Sequence, residues 1–263
     1  MKKLLVGFVV LAALIGTLVI IIGKPPPLPA LPQPNGYDDF LKAGRTVVSF
    51  DAGQPAGLTL EELRDRVAAN QESLNLARAG LRRECQVVLD FSSNDISNHI
   101  AQIGSFKTLA RAFVAEGGLA ERENRPADAA HAYLDAVRFG QACCRGGVVI
   151  DMLVGVALEN LGCRALEPMV EILPAADRLE ASRQLEAIVA QAAPLDTVFR
   201  QERLWARHAH GLRGQIYLLV ARSSQERMRQ GIRKKFEAHQ QELHQLQQSL
   251  AARTAEPGAS PKR

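Results

Sequence analysis

Residues 117–137, GGLAERENRPADAAHAYLDAV, hold the pattern that decides the fold of this chain. Asn124-Arg125-Pro126 separates two runs of helix-forming residues. Pro126 suits the first turn of a helix, where the N–H that it lacks would have no partner anyway. Small residues and one aromatic residue stand where the two helices would touch: Gly117, Ala120, Ala129, Tyr133 and Ala136. Since small residues let helices approach closely, we predict a tight helical hairpin in which Tyr133 fills the space between the helices.

The order small, small, small, aromatic, small is similar to that of a tetratricopeptide repeat. The match is degenerate, because Glu116 stands where a large apolar residue is expected and Ala120 where an aromatic residue is common. A solenoid of such repeats needs about three of them to be stable, and we find one. The sequence therefore predicts a tetratricopeptide-like hairpin and leaves open whether it belongs to a tandem array.

The rest of the body is expected to be all-α. The chain is 47% apolar but only 5% aromatic, and its abundant Ala, Leu, Arg, Glu and Gln favour helix. Periodicity and turn residues predict helices over residues 37–44, 59–88, 96–123, 126–144, 148–170 and 175–192. We assign residues 37–194 to a helical body.

Two of these predicted helices carry informative polar residues. Thr59-Leu60-Glu61-Glu62 is a capping box that begins a helix, and Asn70 interrupts the apolar seam that follows. One role for Asn70 is to specify the register of this seam, but we expect it to reach water or a backbone group. The segment 148–170 is strongly apolar, but Asp151, Glu159 and Arg164 favour a buried central helix over a second membrane span.

Residues 195–253 are predicted to form a long C-terminal helix, which Pro194 begins and whose first part packs on the body. Further along, a weak heptad seam predicts a coiled-coil-like segment that projects from the body. The seam consists of Ile232, Phe236, His239, Leu243, Leu246 and Leu250. Residues 254–263 are polar and are expected to be a disordered tail.

Leu4 to Gly23, LLVGFVVLAALIGTLVIIIG, is a run of twenty residues without a charge. As a helix it would be about 30 Å long, the thickness of the hydrocarbon core of a bilayer. A cleavable signal peptide is the alternative, but its apolar core is about 7–15 residues long and precedes a small-x-small site. We therefore predict an uncleaved transmembrane anchor over residues 1–23. Two lysines, Lys2 and Lys3, precede the apolar run, and one, Lys24, follows it directly. This excess of positive charge before the run favours a cytoplasmic N-terminus and an extracytoplasmic body.

Residues 24–36, KPPPLPALPQPNG, hold six of the thirteen prolines. Such a run forms a semi-rigid, polyproline-like linker, with an SH3-type ligand as the alternative. Anchor, linker and the following PNGYDDFLKAG (residues 34–44) resemble an uncharacterised family of membrane-anchored bacterial proteins with helical bodies. The resemblance covers most of the chain. It implies the architecture, and it brings no activity and no catalytic residues.

Positive charge is concentrated near the C-terminus. Residues 196–263 carry 13 Lys/Arg against 6 Asp/Glu, whereas residues 1–195 carry 19 against 22. A basic arm indicates a solvated helix face, or attraction to anionic lipid or nucleic acid, and an extracytoplasmic body makes nucleic acid an unexpected partner. A candidate basic patch for phospholipid head groups or another polyanion comprises Arg203, Trp205, Arg207 and Arg213. The alternative is an amphipathic helix with Trp205 inward and the arginines outward.

The motifs that would indicate catalysis are not found. The sequence has no G-x-S-x-G elbow, P-loop, dinucleotide fingerprint or H-E-x-x-H, and its four cysteines form no C-x-x-C pair. We interpret the cysteines as small core residues, and Asp95 and His99 as a capping residue and a surface histidine. We therefore predict a non-enzyme, with no catalytic residues, cofactor or metal.

The leading hypothesis for function is a membrane-anchored, non-catalytic scaffold or adaptor that binds protein partners in a groove beside the hairpin Glu116–Arg138. One alternative is an envelope enzyme or lipid-handling protein with a closed apolar cavity. Another is a homo-oligomer formed through the seams Leu60–Val88 and Ile232–Leu250.

Overall fold

Helices make up most of the part of the chain that this computed structural model describes, which comprises residues 27, 29–49, 57–89, 96–220 and 222–252. No strand occurs within these ranges, so the all-α prediction is confirmed. The predicted anchor (1–23) and tail (254–263) lie outside them. None of the described helices is long and apolar enough to cross a membrane.

The helices are numbered here in chain order. Their bounds are α1 Gly36–Thr46, α2 Leu60–Ala69, α3 Gln71–Leu81, α4 Ile96–Arg122, α5 Pro126–Ala142, α6 Val149–Leu166, α7 Met169–Ile172, α8 Ala175–Ala190, α9 Leu195–Val220 and α10 Arg222–Ala252. Helix α1 packs on α3 and α4. Helix α5 packs on both α4 and α6, which also contact each other.

An aromatic cluster fills the core between α1, α4 and α5. The ring of Phe139 lies 5.0 Å from that of Phe40 and 5.5 Å from that of Phe106, centroid to centroid, with the rings edge to face. Such pairs stabilise a core beyond the area they bury. Phe40, Phe106 and Phe139 thus meet where the three helices α1, α4 and α5 pack together.

The chain entering α1 is fixed by the side chain of Asn35. Its Nδ2 donates to the carbonyl of Gln86 at 2.8 Å, and its Oδ1 accepts from the N–H groups of Gln86 at 3.0 Å and Tyr37 at 3.1 Å. The N–H of Gly36 donates to the carbonyl of Glu84 at 2.9 Å. This clamp joins the end of the predicted linker to the segment that follows α3.

Helices α5 and α6 touch at backbone level along a seam of glycines. A Cβ on Gly140 would lie 2.5 Å from the backbone nitrogen of Glu159, and one on Gly155 2.7 Å from the carbonyl oxygen of Gly140. A Cβ on Gly162 would lie 2.6 Å from the carbonyl oxygen of Tyr133. These distances leave no room for a side chain, so glycine is required for this approach.

The C-terminal segment packs on the body and does not project from it as predicted, whereas its coiled-coil-like character stays a prediction. Leu243, Leu246 and Leu250 are buried in one cluster with residues of α8 and α6, and Ser182 of α8 donates to the carbonyl of Gln247 at 3.2 Å. The heptad seam exists, but the body of the same chain covers it.

Three predicted helix bounds also differ from the structure. The helix expected over 59–88 is two helices joined at Asn70, whose amide oxygen accepts from the N–H of Val48 at 2.7 Å and whose Nδ2 donates to the carbonyl of Arg66 at 3.0 Å. Asn70 thus reaches backbone groups, as expected. Gly44 lies inside α1, where a Cβ would be 2.3 Å from Oγ of Ser105 in α4. Gly211 interrupts α9 with a φ of 52°.

Candidate functional site

The structure brings together the five residues of the predicted hairpin. Ala120, Ala129, Tyr133 and Ala136 are buried, and a Cβ on Gly117 would lie 2.3 Å from Cε1 of Tyr133. The Tyr133 ring therefore occupies the space that Gly117 leaves, and its hydroxyl donates to Glu121. Asn124 takes a φ of 58° in the turn, a conformation that Asn tolerates better than most residues.

A groove of about 400 Å³ lies beside this hairpin, lined by residues of α2, α3, α4 and α5. Arg78 crosses it, forming an ion pair with Glu116 and donating from Nε to Asp135 at 2.8 Å. Burial lowers the pKa of Arg78, but the hydrogen bonds to Glu116 and Asp135 more than offset this and raise it overall. Arg138 also donates to Asp135, at 3.0 Å.

The rim of the same groove is tied by a second set of ion pairs. Arg125 contacts Glu123 at 2.7 Å and Asp128 at 2.6 Å, and Arg64 contacts Glu123 at 2.7 Å. Hydrogen bonds from Arg125 and Arg64 hold the pKa of Glu123 below its usual range. The charges of this groove therefore neutralise one another and leave little net field to select a ligand.

A second groove, of about 420 Å³, lies between α4 and α6 and is almost entirely aliphatic. Its lining includes Ile100, Ile103, Ile150, Leu153 and Leu161. Three of these side chains remain open to solvent, Ile100 at 50% exposure and Ile150 and Leu153 at 37% each. Contiguous exposed aliphatic side chains of this kind commonly mark an interaction site.

Lys107 stands at the edge of the aliphatic groove. Arg111 follows four residues later in α4 and so lies on the same side of that helix. Both side chains are exposed, and neither forms an ion pair with another residue in the described ranges. Among the described residues, no carboxylate pairs with the positive charges at this edge of the groove, unlike those of the groove beside the hairpin.

Sequence reasoning missed the aliphatic groove as a site. It predicted a helix over residues 96–123 and treated the apolar segment 148–170 as a buried helix. A usable signal was present, because α6 is apolar around more of its circumference than one core contact can cover. Which strip stays uncovered depends on how α4 and α5 pack, and the sequence of α6 alone does not carry that information.

A larger groove of about 660 Å³ separates α6 from α10. Charged and polar side chains of both signs line it, among them Arg164, Glu167 and Glu242. Its surface offers no apolar anchor comparable to the exposed isoleucines of the α4–α6 groove.

Two histidine–carboxylate pairs lie on α6, two turns apart. Nε2 of His99 is 2.7 Å from Oδ1 of Asp151, whose Oδ2 accepts from the N–H of Val148 at 2.8 Å. Nε2 of His239 is 2.8 Å from Oε2 of Glu159, and both residues are buried. Burial raises the pKa of Glu159, and the hydrogen bond with His239 offsets part of that rise. His99 is thus half-buried and paired with Asp151, whereas we expected it at the surface; Asp95 lies outside the described residues.

The chemistry of these pairs is consistent with structural roles. Within the described ranges, no three His, Cys, Asp or Glu residues are arranged to hold a metal ion. Asp151 fixes the start of α6, while His239 joins α10 to α6. The His99–Asp151 pair joins α4 to α6, and the His239–Glu159 pair joins α10 to α6, so each pair connects elements that are distant in sequence.

All four cysteines are free thiols. Burial raises the pKa of Cys85 to about 11 and that of Cys163 to about 12, and it raises the pKa of Cys143 and Cys144 as well. Because the thiolate is the nucleophilic form, these side chains are poor nucleophiles at neutral pH.

The residues of the candidate basic patch differ in how far they are exposed to solvent. Arg203 is exposed, and Trp205 and Arg207 are half-buried. The side chain of Arg213 lies outside the described part of the chain. The patch therefore stays a prediction.

No protein-family model, curated protein or solved structure matches this chain.

Proposed function

We propose that this chain is a membrane-anchored, non-catalytic helical scaffold that binds protein partners. The observation that carries the proposal is the aliphatic groove between α4 and α6, in which Ile100 is 50% exposed and Ile150 and Leu153 are each 37% exposed.

The tetratricopeptide-like hairpin supports the same proposal. Paired helices of this type present concave surfaces to extended or helical partners, and the hairpin of α4 and α5 supplies one wall to each of the two grooves beside it. In the proposed arrangement, the anchor over residues 1–23 and the linker over residues 24–36 hold these surfaces outside the cytoplasm, close to the membrane.

Site-specific crosslinking in cells tests the scaffold proposal. A photoreactive amino acid is placed at Leu153 in the full chain, and Ile172, which is 56% exposed and lies outside the groove, is the matched control position. We expect one or a few proteins to crosslink at Leu153 but not at Ile172, as identified by mass spectrometry.

A second variant separates groove binding from chance proximity. Ile100→Glu places a carboxylate among the aliphatic side chains, so the Leu153 crosslinks should disappear, while Ile172→Glu should leave them unchanged. Crosslinks to lipid alone at Leu153, or equal protein crosslinks at both positions, contradict the scaffold function.

A further inference from the structure

We infer that the α4–α6 groove takes an amphipathic helix of a partner protein, with its apolar face on the aliphatic side chains and its carboxylates beside Lys107 and Arg111. This inference rests on the proposed scaffold function and specifies the chemistry of the partner.

The openness of the groove favours a helix as the occupant. Ile100, Ile150 and Leu153 line it and yet remain 37–50% exposed. A small-molecule site buries about 70–90% of its ligand's surface, whereas a lipid chain in this open groove would keep much of its apolar surface in water. An amphipathic helix needs cover on one face only, and its polar face stays hydrated.

The positive edge selects the charge of that helix. Lys107 lines the groove, whose lining contains no carboxylate, and Arg111 lies one turn further along α4. The arginines beside the hairpin are different, since Arg78 and Arg125 are both paired with carboxylates of the chain itself. Two carboxylates one turn apart on a partner helix would match Lys107 and Arg111, and lysines at those positions would be repelled.

The test uses two synthetic helical peptides of equal length with leucines along one face. One carries two Glu residues one turn apart near one end, and the other carries Lys at the same places. Each is labelled, and its binding to the full chain in nanodiscs of zwitterionic lipid is followed by fluorescence anisotropy, with empty nanodiscs subtracted.

We expect the acidic peptide to bind roughly tenfold more tightly than the basic one, because two ion pairs replace two repulsions. The double variant Lys107→Glu/Arg111→Glu should reverse this preference. Lys235→Glu, a charge reversal at an exposed cation of α10, should leave it unchanged. Circular dichroism establishes that each variant is folded.

Three outcomes overturn the inference. Equal binding of both peptides that is lost in Ile100→Glu excludes charge selection and leaves the scaffold function standing. Binding of neither peptide excludes a helix of this kind, and the scaffold function then falls only if Leu153 also captures no protein. A lipid that co-purifies with the wild-type chain and is lost in Ile100→Glu, seen by native mass spectrometry, assigns the groove to an alkyl chain instead.

Discussion

Gly162 and Gly231 show how differently the same residue type acts in two helices of this chain. A Cβ on Gly162 would lie 2.6 Å from the carbonyl oxygen of Tyr133 and 2.9 Å from the backbone nitrogen of Val137. Those are backbone atoms of α5, which move only if the whole helix moves. A Cβ on Gly231 in α10 would have no neighbour within 4 Å. The only effect of this glycine is therefore to lower the helix propensity of α10.

Alanine substitution at these two glycines should therefore have opposite effects. Gly162→Ala should lower the free energy of unfolding by about 1–3 kcal/mol, the usual effect of overpacking. Gly231→Ala should raise it by about 0.5–1 kcal/mol, because Ala is the better helix former. Denaturant unfolding of the chain in detergent, followed by circular dichroism, measures both. A neutral result for Gly162→Ala would contradict the close backbone approach of α5 and α6.

At the scale of the element, α10 is attached to the body by an apolar seam and one buried polar pair. Leu243, Leu246 and Leu250 pack against α8 and α6, while His239 meets Glu159 at 2.8 Å. Burial raises the pKa of Glu159. The folded chain therefore holds a proton at Glu159 to a higher pH than the unfolded chain does.

This pair predicts a pH dependence of stability. The contribution of protonated Glu159 is fully present below its usual pKa and is lost as the pH rises through the raised folded-state pKa. Glu159→Gln is neutral throughout and keeps a hydrogen-bonding amide near His239. From about pH 4.5 upward, the wild-type chain should lose stability relative to this variant, by at most about 1.4 kcal/mol per pH unit.

Unfolding measured across this pH range tests the effect. Glu186→Gln is the matched control, because it makes the same change at a carboxylate that is exposed on α8 and lies outside the buried pair. Parallel pH profiles for Glu159→Gln and wild type would show that the pKa of Glu159 is not raised.

The elements predicted best are those whose signals are local. Oγ1 of Thr59 accepts from the N–H of Glu62 at 3.2 Å, and Oε2 of Glu62 accepts from the N–H of Thr59 at 2.8 Å. All atoms of this capping box lie within four residues, so its sequence pattern is sufficient. Pro126 at the start of α5 was predicted for the same reason.

The features that were missed depend on residues far apart in the chain. The break at Asn70 is fixed by Val48, and the seam of α10 is covered by α8, with Ser182 and Gln247 in contact. Periodicity identified that seam but contained no information about what covers it. The aliphatic groove was missed likewise, because the exposure of Ile100 is decided by the packing of α4 against α6.

At the scale of the whole molecule, the cysteines provide a way to locate the body relative to the membrane. All four thiols are free, and burial raises the pKa of each. Little thiolate is therefore present at neutral pH, and background labelling of the wild-type chain should be low.

A new cysteine on the surface should report the predicted topology. In Glu186→Cys, a membrane-impermeant maleimide added to intact cells or spheroplasts should label the chain before lysis, because the body is predicted to lie outside the cytoplasm. The wild-type chain should label weakly under the same conditions. Labelling of Glu186→Cys only after lysis would place the body in the cytoplasm and contradict the orientation inferred from Lys2, Lys3 and Lys24.

The Asn35 clamp has a mechanical consequence. A pull along the predicted linker reaches the body at Asn35, whose three hydrogen bonds pass the force to Gln86 and to the start of α1. These contacts lie beside Tyr37, whose ring packs on Phe40 and Phe106 in the aromatic cluster. In a chain anchored as predicted, Asn35 would therefore be the point at which the body, with its α4–α6 groove, is held.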